Sequence, residues 1–477
     1  MISLKILLLL IVLILTGIGA YHVLKPLPPG LSFQGPERPL IDARLFTDLT
    51  YRDASDSVQL EHTIFDEIFR LIAQAEKLIV LDMFLFNDSR PDESYRPLSE
   101  QLTSALITRS QQVEDIRIVV ITDPLNTFYG GRKSPYFERL KDAGIPVTET
   151  ALGQLRDSNP IWSAGWRLCC QWLGNSDTSG WLPNLLDDGE VTLRSYLALP
   201  NFKANHRKVL IVDEGNRFRG LITSANPHDG SSKHSNMALS FAGPAVNDLL
   251  ASEQAVLALS DARLNLAPDV SPNTFGGQDE SAVGSVVTEQ KILESALTMI
   301  NSARQDSKLD LAMFYLSHRE LVTAFIDAHN RGVEVRALLD PNKEAFGHEK
   351  SGIPNRQVAM ELTRAGIPVR WCNTHGEQCH SKMLIRRDTN DQGQLLMGSA
   401  NFTRRNLNDL NLETDILIRG LTKTPLIEQA QAFFDRQWQA GPATTPVLSL
   451  PYEAYADHSQ FRYWRYRLME ATGLSTF

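Results

Sequence analysis

Residues 205–226 read NHRKVLIVDEGNRFRGLITSAN, and residues 379–401 read CHSKMLIRRDTNDQGQLLMGSAN. Each stretch opens on His-x-Lys (His206 and Lys208; His380 and Lys382), runs through apolar residues and a polar turn, and closes on Ser-Ala-Asn (Ser224 and Asn226; Ser399 and Asn401). Side chains two apart on a strand share a face, so each His projects with its Lys into one space. The Ser and Asn at the end of a second strand add a hydroxyl and an amide, both suited to phosphate oxygens. One His-x-Lys arises by chance; two with matching endings do not. A basic, amide-rich site made twice over, with no metal-ligand cluster and no cofactor motif, suits attack on a phosphodiester.

The pattern resembles the phospholipase D superfamily, whose signature is His-x-Lys, four residues, Asp, then Gly/Ser-x-Asn, normally present twice per active unit. The first copy fits through His206, Lys208, Asp213, Ser224 and Asn226. In the second, Arg387 holds the expected Asp position and Asp388 follows one residue late, which reads as a one-residue insertion with Asp388 as a structural carboxylate. The resemblance implies a fold of two duplicated α/β sandwich halves packed about a pseudo-twofold axis. It also assigns His206 as nucleophile and His380 as general acid, with Lys208, Lys382, Asn226 and Asn401 on the non-bridging oxygens and Ser224 and Ser399 binding substrate. The segment 226–236, NPHDGSSKHSN, is similar to bacterial members acting on phospholipids, including cardiolipin-synthase-like proteins. Its His228, Asp229 and His234 read as a polar loop at the site mouth and not as metal ligands.

The rest of the chain repeats around these stretches. Apolar residues at helical spacing in 60–74 precede the strand-like 77–86, KLIVLDMFLF; a second helix near 98–109 leads to IRIVVIT at 116–122, closed by Asp123-Pro124. The same order returns as a helix over 289–302, KLDLAMFYL at 308–316, a helix over 318–330, a strand over 333–339 and Asp340-Pro341. The segment Ala-Gly-Ile-Pro-Val then stands in both halves, at 143–147 and 365–369. Helices alternating with buried strands predict an α/β layered architecture. The divisions expected are a membrane anchor at 1–25, a Pro-rich spacer at 26–41, a first half at 42–266, a linker at 267–285, a second half at 286–441 and an aromatic, basic tail at 442–477. An insertion of about 48 residues near 151–200 sets the halves apart and holds four of the seven Trp (Trp162, Trp166, Trp172, Trp181). Such residues either line a lipid headgroup region or pack the insertion onto its domain.

The uncharged run 6–24 can just span a hydrocarbon core about 30 Å thick. An uncleaved single-pass anchor is the expectation, with a cleaved signal peptide as its rival. Lys5 and the terminal amine favour the cytoplasmic side, placing the catalytic part outside it, as at a bacterial inner membrane. The four Cys lack zinc-like spacing and read as buried thiols, with one bridge if the chain is exported. A net charge of −9 argues against a stable nucleic-acid partner.

One asymmetry is visible between the halves. Glu413 stands twelve positions after Asn401 and is expected to orient His380, whereas twelve after Asn226 lies Ala238. Asp82, aligned with Ala312, is either a replacement orienter for His206 or a structural carboxylate. The leading expectation is a membrane-anchored phospholipase D-type enzyme, active as one chain on glycerophospholipids, with water or an alcohol as acceptor. A nuclease-like phosphodiesterase and a non-catalytic phosphate-binding scaffold are the alternatives.

Overall fold

The computed structural model describes residues 4–89, 95–184, 189–263, 282–345, 348–439, 446–475 and 477. Two mixed sheets carry the chain. The first runs, edge to edge, through Val58–Glu61, Ile41–Arg52, Asn236–Ala242, Arg217–Thr223, Lys208–Glu214, Leu78–Met83, Arg117–Thr122 and Val147–Glu149. The second runs through Arg38–Pro39, Ala282–Thr288, Thr414–Leu421, Gln392–Gly398, Lys382–Arg387, Lys308–Met313, Glu334–Leu339, Val369–Cys372 and Ser449–Pro451. Seven strands correspond one to one in the same spatial order, with parallel pairing confined to the last three of each set. Register agrees as well: Met83 faces Lys208, and Met313 faces Lys382.

Strand alternation places the cores. Val80, Ile121, Val209 and Ile211 share one buried cluster with Ala312, Leu338, Met383 and Ile385 of the second sheet. Their neighbours Ile79, Leu81, Leu210 and Val212 pack instead under the helices Ile64–Gln74 and Leu98–Gln112. A corresponding outer cluster covers the second sheet. The halves therefore share a central apolar layer, which also takes in helices Ala245–Leu259 and Pro425–Trp438, and carry further helices outside it.

Several boundaries differ from expectation. Residues 60–61 belong to an edge strand, and the first helix starts at Ile64, where Asp48 accepts from the amides of Thr63 and Ile64. The spacer is not outside the halves, because Arg38–Pro39 pairs with Ala282–Thr288. Nor is the tail, because Ser449–Pro451 adds an edge strand to Val369–Cys372. The linker falls largely outside the described residues, and its last positions, from Ala282, are already strand. All four Cys are paired, Cys169 with Cys170 and Cys372 with Cys379, in place of the expected thiols. The loop between Cys372 and Cys379 turns back so that their Cα atoms lie 6.2 Å apart, within bridging range.

Helix Leu4–Leu24 stands exposed over its first turns, and its apolar eighteen-residue window is not buried against the protein at all. A core helix would bury that surface, so its length and composition fit a membrane span. Its last two turns pack on the insertion helix Pro160–Cys169, with Gly19 against the Pro160 carbonyl and Ala164.

Candidate active site

Each His is fixed by a backbone clip to the other half. The His206 amide donates to the Leu412 carbonyl at 2.9 Å, and the Leu412 amide donates back to Ala204. Likewise the His380 amide donates to Ser235 at 2.8 Å, and the Ser235 amide donates to Gln378. A second tether comes from the Asp-Pro turns. Asp123 accepts from the Asn205 amide at 2.7 Å, and Asp340 from the Cys379 amide at 2.8 Å, one residue before each His. Burial pushes these carboxyls up, Asp123 to about 7 and Asp340 to about 6.

The clips decide which groups meet the imidazoles. Leu412 precedes Glu413, so His206 Nδ1 lies 2.8 and 2.9 Å from the two Glu413 carboxylate oxygens. Ser235 precedes Asn236, so His380 Nδ1 lies 3.0 Å from Asn236 Oδ1. The Asn236 amide nitrogen donates to the His234 carbonyl, which leaves its oxygen toward His380. Both imidazoles thus donate from Nδ1 and present Nε2.

This corrects two expectations and decides between the two readings of Asp82. Glu413 orients His206, not His380. The first-half loop is two residues shorter than the second, so the position matching Glu413 is Asn236, ten after Asn226, and counting twelve reached into the strand. The match is shown by the serines: Ser224 Oγ donates to Asn236 and accepts from the Met237 amide, while Ser399 Oγ donates to Glu413 and accepts from the Thr414 amide. Ser224 and Ser399 are therefore fully buried holders of the His partners, not substrate-binding groups. Asp82 does not orient His206. It pairs with Val209 in register and so falls on the face opposite Lys208, where both its oxygens accept from Asn205 Nδ2.

Asp213 also lies away from the chemistry, at the far end of its strand. It accepts from the amides of Glu76, Lys77 and Leu78 and pins the start of strand Leu78–Met83. Asp388 occupies the matching place, bonded to Ser307 just before Lys308–Met313 and paired with Arg386. Of the residues mistaken most easily for metal ligands, Asp229 accepts from the Ser99 amide and His228 bonds Ser231. Among the described residues no three His, Cys, Asp or Glu gather as a metal site.

The remaining assigned residues converge. A cavity of about 220 Å³ is lined by His206, His380, Asn226 and Asn401 from both halves. Lys208 and Lys382 are fully buried, each donating to the carbonyl of its own His (2.7 and 2.8 Å) and lying over Phe84 and Phe314 respectively. Those rings also pack on His206 and His380. The Phe pair follows Met83 and Met313 in both repeats, a signal present in the sequence but not used. His234, expected in a polar loop at the site mouth, lines the same cavity; Arg405 and Lys350 do so too and were missed, because nothing in the repeated motif marks them.

Charge crowding governs the site. Burial, then Lys208, Lys382 and Arg405, hold His206 well below the usual imidazole range; burial, then Lys382 and His234, do the same to His380. Burial brings Lys208 down to about 7 and pushes Glu413 up to about 7. Basic groups packed this closely and this deeply buried hold one another toward the neutral form and are poised for an anion that would restore their charge.

Two like halves thus each contribute a clipped His to one cavity, with its Lys buried directly behind it. Residues 296–438 match the family model described as "Cardiolipin synthase, PLD-like domain". Among solved structures, phosphatidylserine synthase from Haemophilus influenzae Rd KW20 aligns over 92% of this chain and 96% of its own at 10% identity, with a TM-score of 0.54. Nuc of Salmonella typhimurium, a phospholipase D family member, covers 32% of this chain and 94% of its own at 21% identity, with a TM-score of 0.27. A search of curated proteins returned no match.

Proposed function

We propose that the protein is a membrane-anchored phospholipase D-type phosphodiesterase or phosphatidyltransferase acting on glycerophospholipids. The observation that carries this reading is the pair of imidazoles sharing one cavity, each with Nδ1 fixed and Nε2 available. His206 Nε2 attacks phosphorus while His380, protonated once a phosphate charge enters, donates its proton to the departing alkoxide. The phosphorus–oxygen bond breaks as the phosphorus–nitrogen bond forms. His380, now neutral, then takes a proton from water or an alcohol, whose oxygen displaces His206 and completes hydrolysis or transfer. Glu413 supports this division of labour, since a carboxylate on Nδ1 favours the positive charge that phosphorylated His206 carries. Lys208, Lys382, Asn226 and Asn401 stabilise the non-bridging oxygens. The two features that favoured a non-catalytic scaffold lose their weight: Asp388 serves a strand end, and the missing first-half acid is replaced by Asn236.

The test is turnover of mixed phospholipids by the detergent-solubilised full chain, with EDTA and added glycerol, beside His206→Ala and His380→Ala, with products identified by mass. Phosphatidic acid or phosphatidylglycerol, absent with both variants, supports the reading. Cleavage of a single-stranded oligonucleotide without any lipid product overturns it.

A further inference from the structure

We infer that the insertion helix and the C-terminal helix form, with the anchor, one docking face that lies in the headgroup and acyl boundary of the same bilayer, with the catalytic cavity opening beside it. This rests on the membrane-anchored reading above. The insertion helix Pro160–Cys169 turns Ala164 toward Gly19 of the anchor and leaves Ile161, Leu168 and, just beyond its end, Trp172 exposed. Ile161 and Leu168, seven apart, share one helical face, and Trp172 follows in the turn after it. The C-terminal helix Gln460–Thr472 shows the same inversion of polarity. It buries Tyr466, which donates to the Ser317 carbonyl, and Glu470, which accepts from Ser317 Oγ and the Arg404 amide. Its outer face carries Phe461, Trp464 and Leu468, all more than 60% exposed, with Arg465 among them.

Three contacts bring these surfaces together. The Asp157 amide donates to the His22 carbonyl, and Arg156 donates to the Lys25 carbonyl, so the anchor's end is fastened to the insertion. Gly473, which closes the C-terminal helix, lies against the Ser158 carbonyl, two residues before the insertion helix begins, and any side chain there would clash. Both elements then run to the active site: Phe477 and Ala204, one after each, line the cavity with His206 and His380. Large aromatic and aliphatic groups rimmed by Arg suit the interface of a bilayer bearing anionic lipids. Continuity with a helix long enough to span that bilayer fixes the occupant as lipid in preference to another protein.

The full chain is reconstituted into nanodiscs containing phosphatidylglycerol and phosphatidylcholine, the latter with or without bromine on its acyl chains near the glycerol. Bromine quenches only nearby indoles. The wild type is expected to lose fluorescence in the brominated discs, and Trp172→Phe with Trp464→Phe is expected to lose at most half as much. Equal quenching of wild type and double variant, or none in either, while the protein elutes with the discs, overturns the docking face and spares the anchor. Elution apart from the discs overturns both. Far-UV circular dichroism of the double variant matching wild type excludes misfolding as the cause.

Discussion

Replacing Glu413 by Gln keeps the shape of the side chain and removes its charge. In the proposed phosphorylated intermediate His206 would bear a positive charge, and the carboxylate lies 2.8 Å from its Nδ1. For charge centres about 4 Å apart at an effective dielectric constant near 20, the attraction is about 4 kcal/mol. A Gln amide retains an ordinary hydrogen bond of about 1 kcal/mol, leaving a deficit of about 3 kcal/mol, roughly a hundredfold in kcat. Gln also has one oxygen for three donors, since Ser399 and Asn406 donate to Glu413 as well. Asn236→Ala is the internal control: at His380 it removes a neutral bond, about 1 kcal/mol or roughly fivefold, with the bonds to Ser224 and the His234 carbonyl lost alongside it. The assay is phospholipid turnover with kcat and KM separated, together with acid quenching to measure phosphohistidine. The expected result is a fall in kcat and in trapped intermediate for Glu413→Gln, with KM little changed. Activity within threefold of wild type would refute the argument, and a larger loss in Asn236→Ala than in Glu413→Gln would assign the nucleophile to His380.

Other consequences are open to direct measurement. An anion drawn to the crowded cations binds the folded state alone, so orthovanadate at a hundred times its dissociation constant should stabilise by about 2.7 kcal/mol; no rise in melting temperature would contradict the electrostatic account. Lys208, brought down to about 7 by burial, loses its proton as pH rises through that value. Because the charged form binds phosphate, kcat/KM should fall on the alkaline side from about pH 7, whereas His206, held well below its usual value, stays neutral and nucleophilic below pH 6.5. Asp340→Ala frees the Cys379 amide before His380 and should cost at least tenfold in activity with the fold retained by circular dichroism. Glu289→Gln weakens a fully buried ion pair to Arg207 at 2.6 Å and should destabilise by about 3–5 kcal/mol, read as a lower denaturant midpoint.

The duplication was legible because each repeat keeps its apolar strands, its Asp-Pro turn and its Ala-Gly-Ile-Pro-Val segment at matching places, and these decide sheet order and register. The convergence of His206, His380, Asn226 and Asn401 followed from that symmetry. What the sequence hid lies in contacts between the halves. Within one repeat, Glu413 sits closest along the chain to His380, so linear reasoning paired them. The actual pairing depends on the clip between Ala204, His206 and Leu412, which joins strand starts two hundred residues apart in sequence. Arg405 and Lys350 were unreadable for the same reason: only the closed fold brings them to the cavity. The spacer looked like a connector, and the strand in the tail was not visible, because Arg38–Pro39 and Ser449–Pro451 are too short to show alternation, yet each completes a sheet edge.

The exchange of partners across the halves would let a nearly symmetric site perform the asymmetric reaction proposed. Backbone clips, Asp-Pro tethers, Phe supports and Lys neighbours are all matched, so both imidazoles occupy the same kind of place. Among the groups that meet the Nδ1 atoms the break falls at one position, Glu413 on one side and Asn236 on the other, each held by an equivalent serine. A carboxylate favours an imidazole that must carry charge while bonded to phosphorus. A neutral amide orients the other without holding its proton, which suits a group that must give the proton up and take it back. Exchanging these two side chains in a Glu413→Asn and Asn236→Glu double variant should move the trapped phosphoryl group toward His380. Peptide mass mapping reads the position directly, and phosphorylation still confined to His206 would show that the asymmetry arises elsewhere.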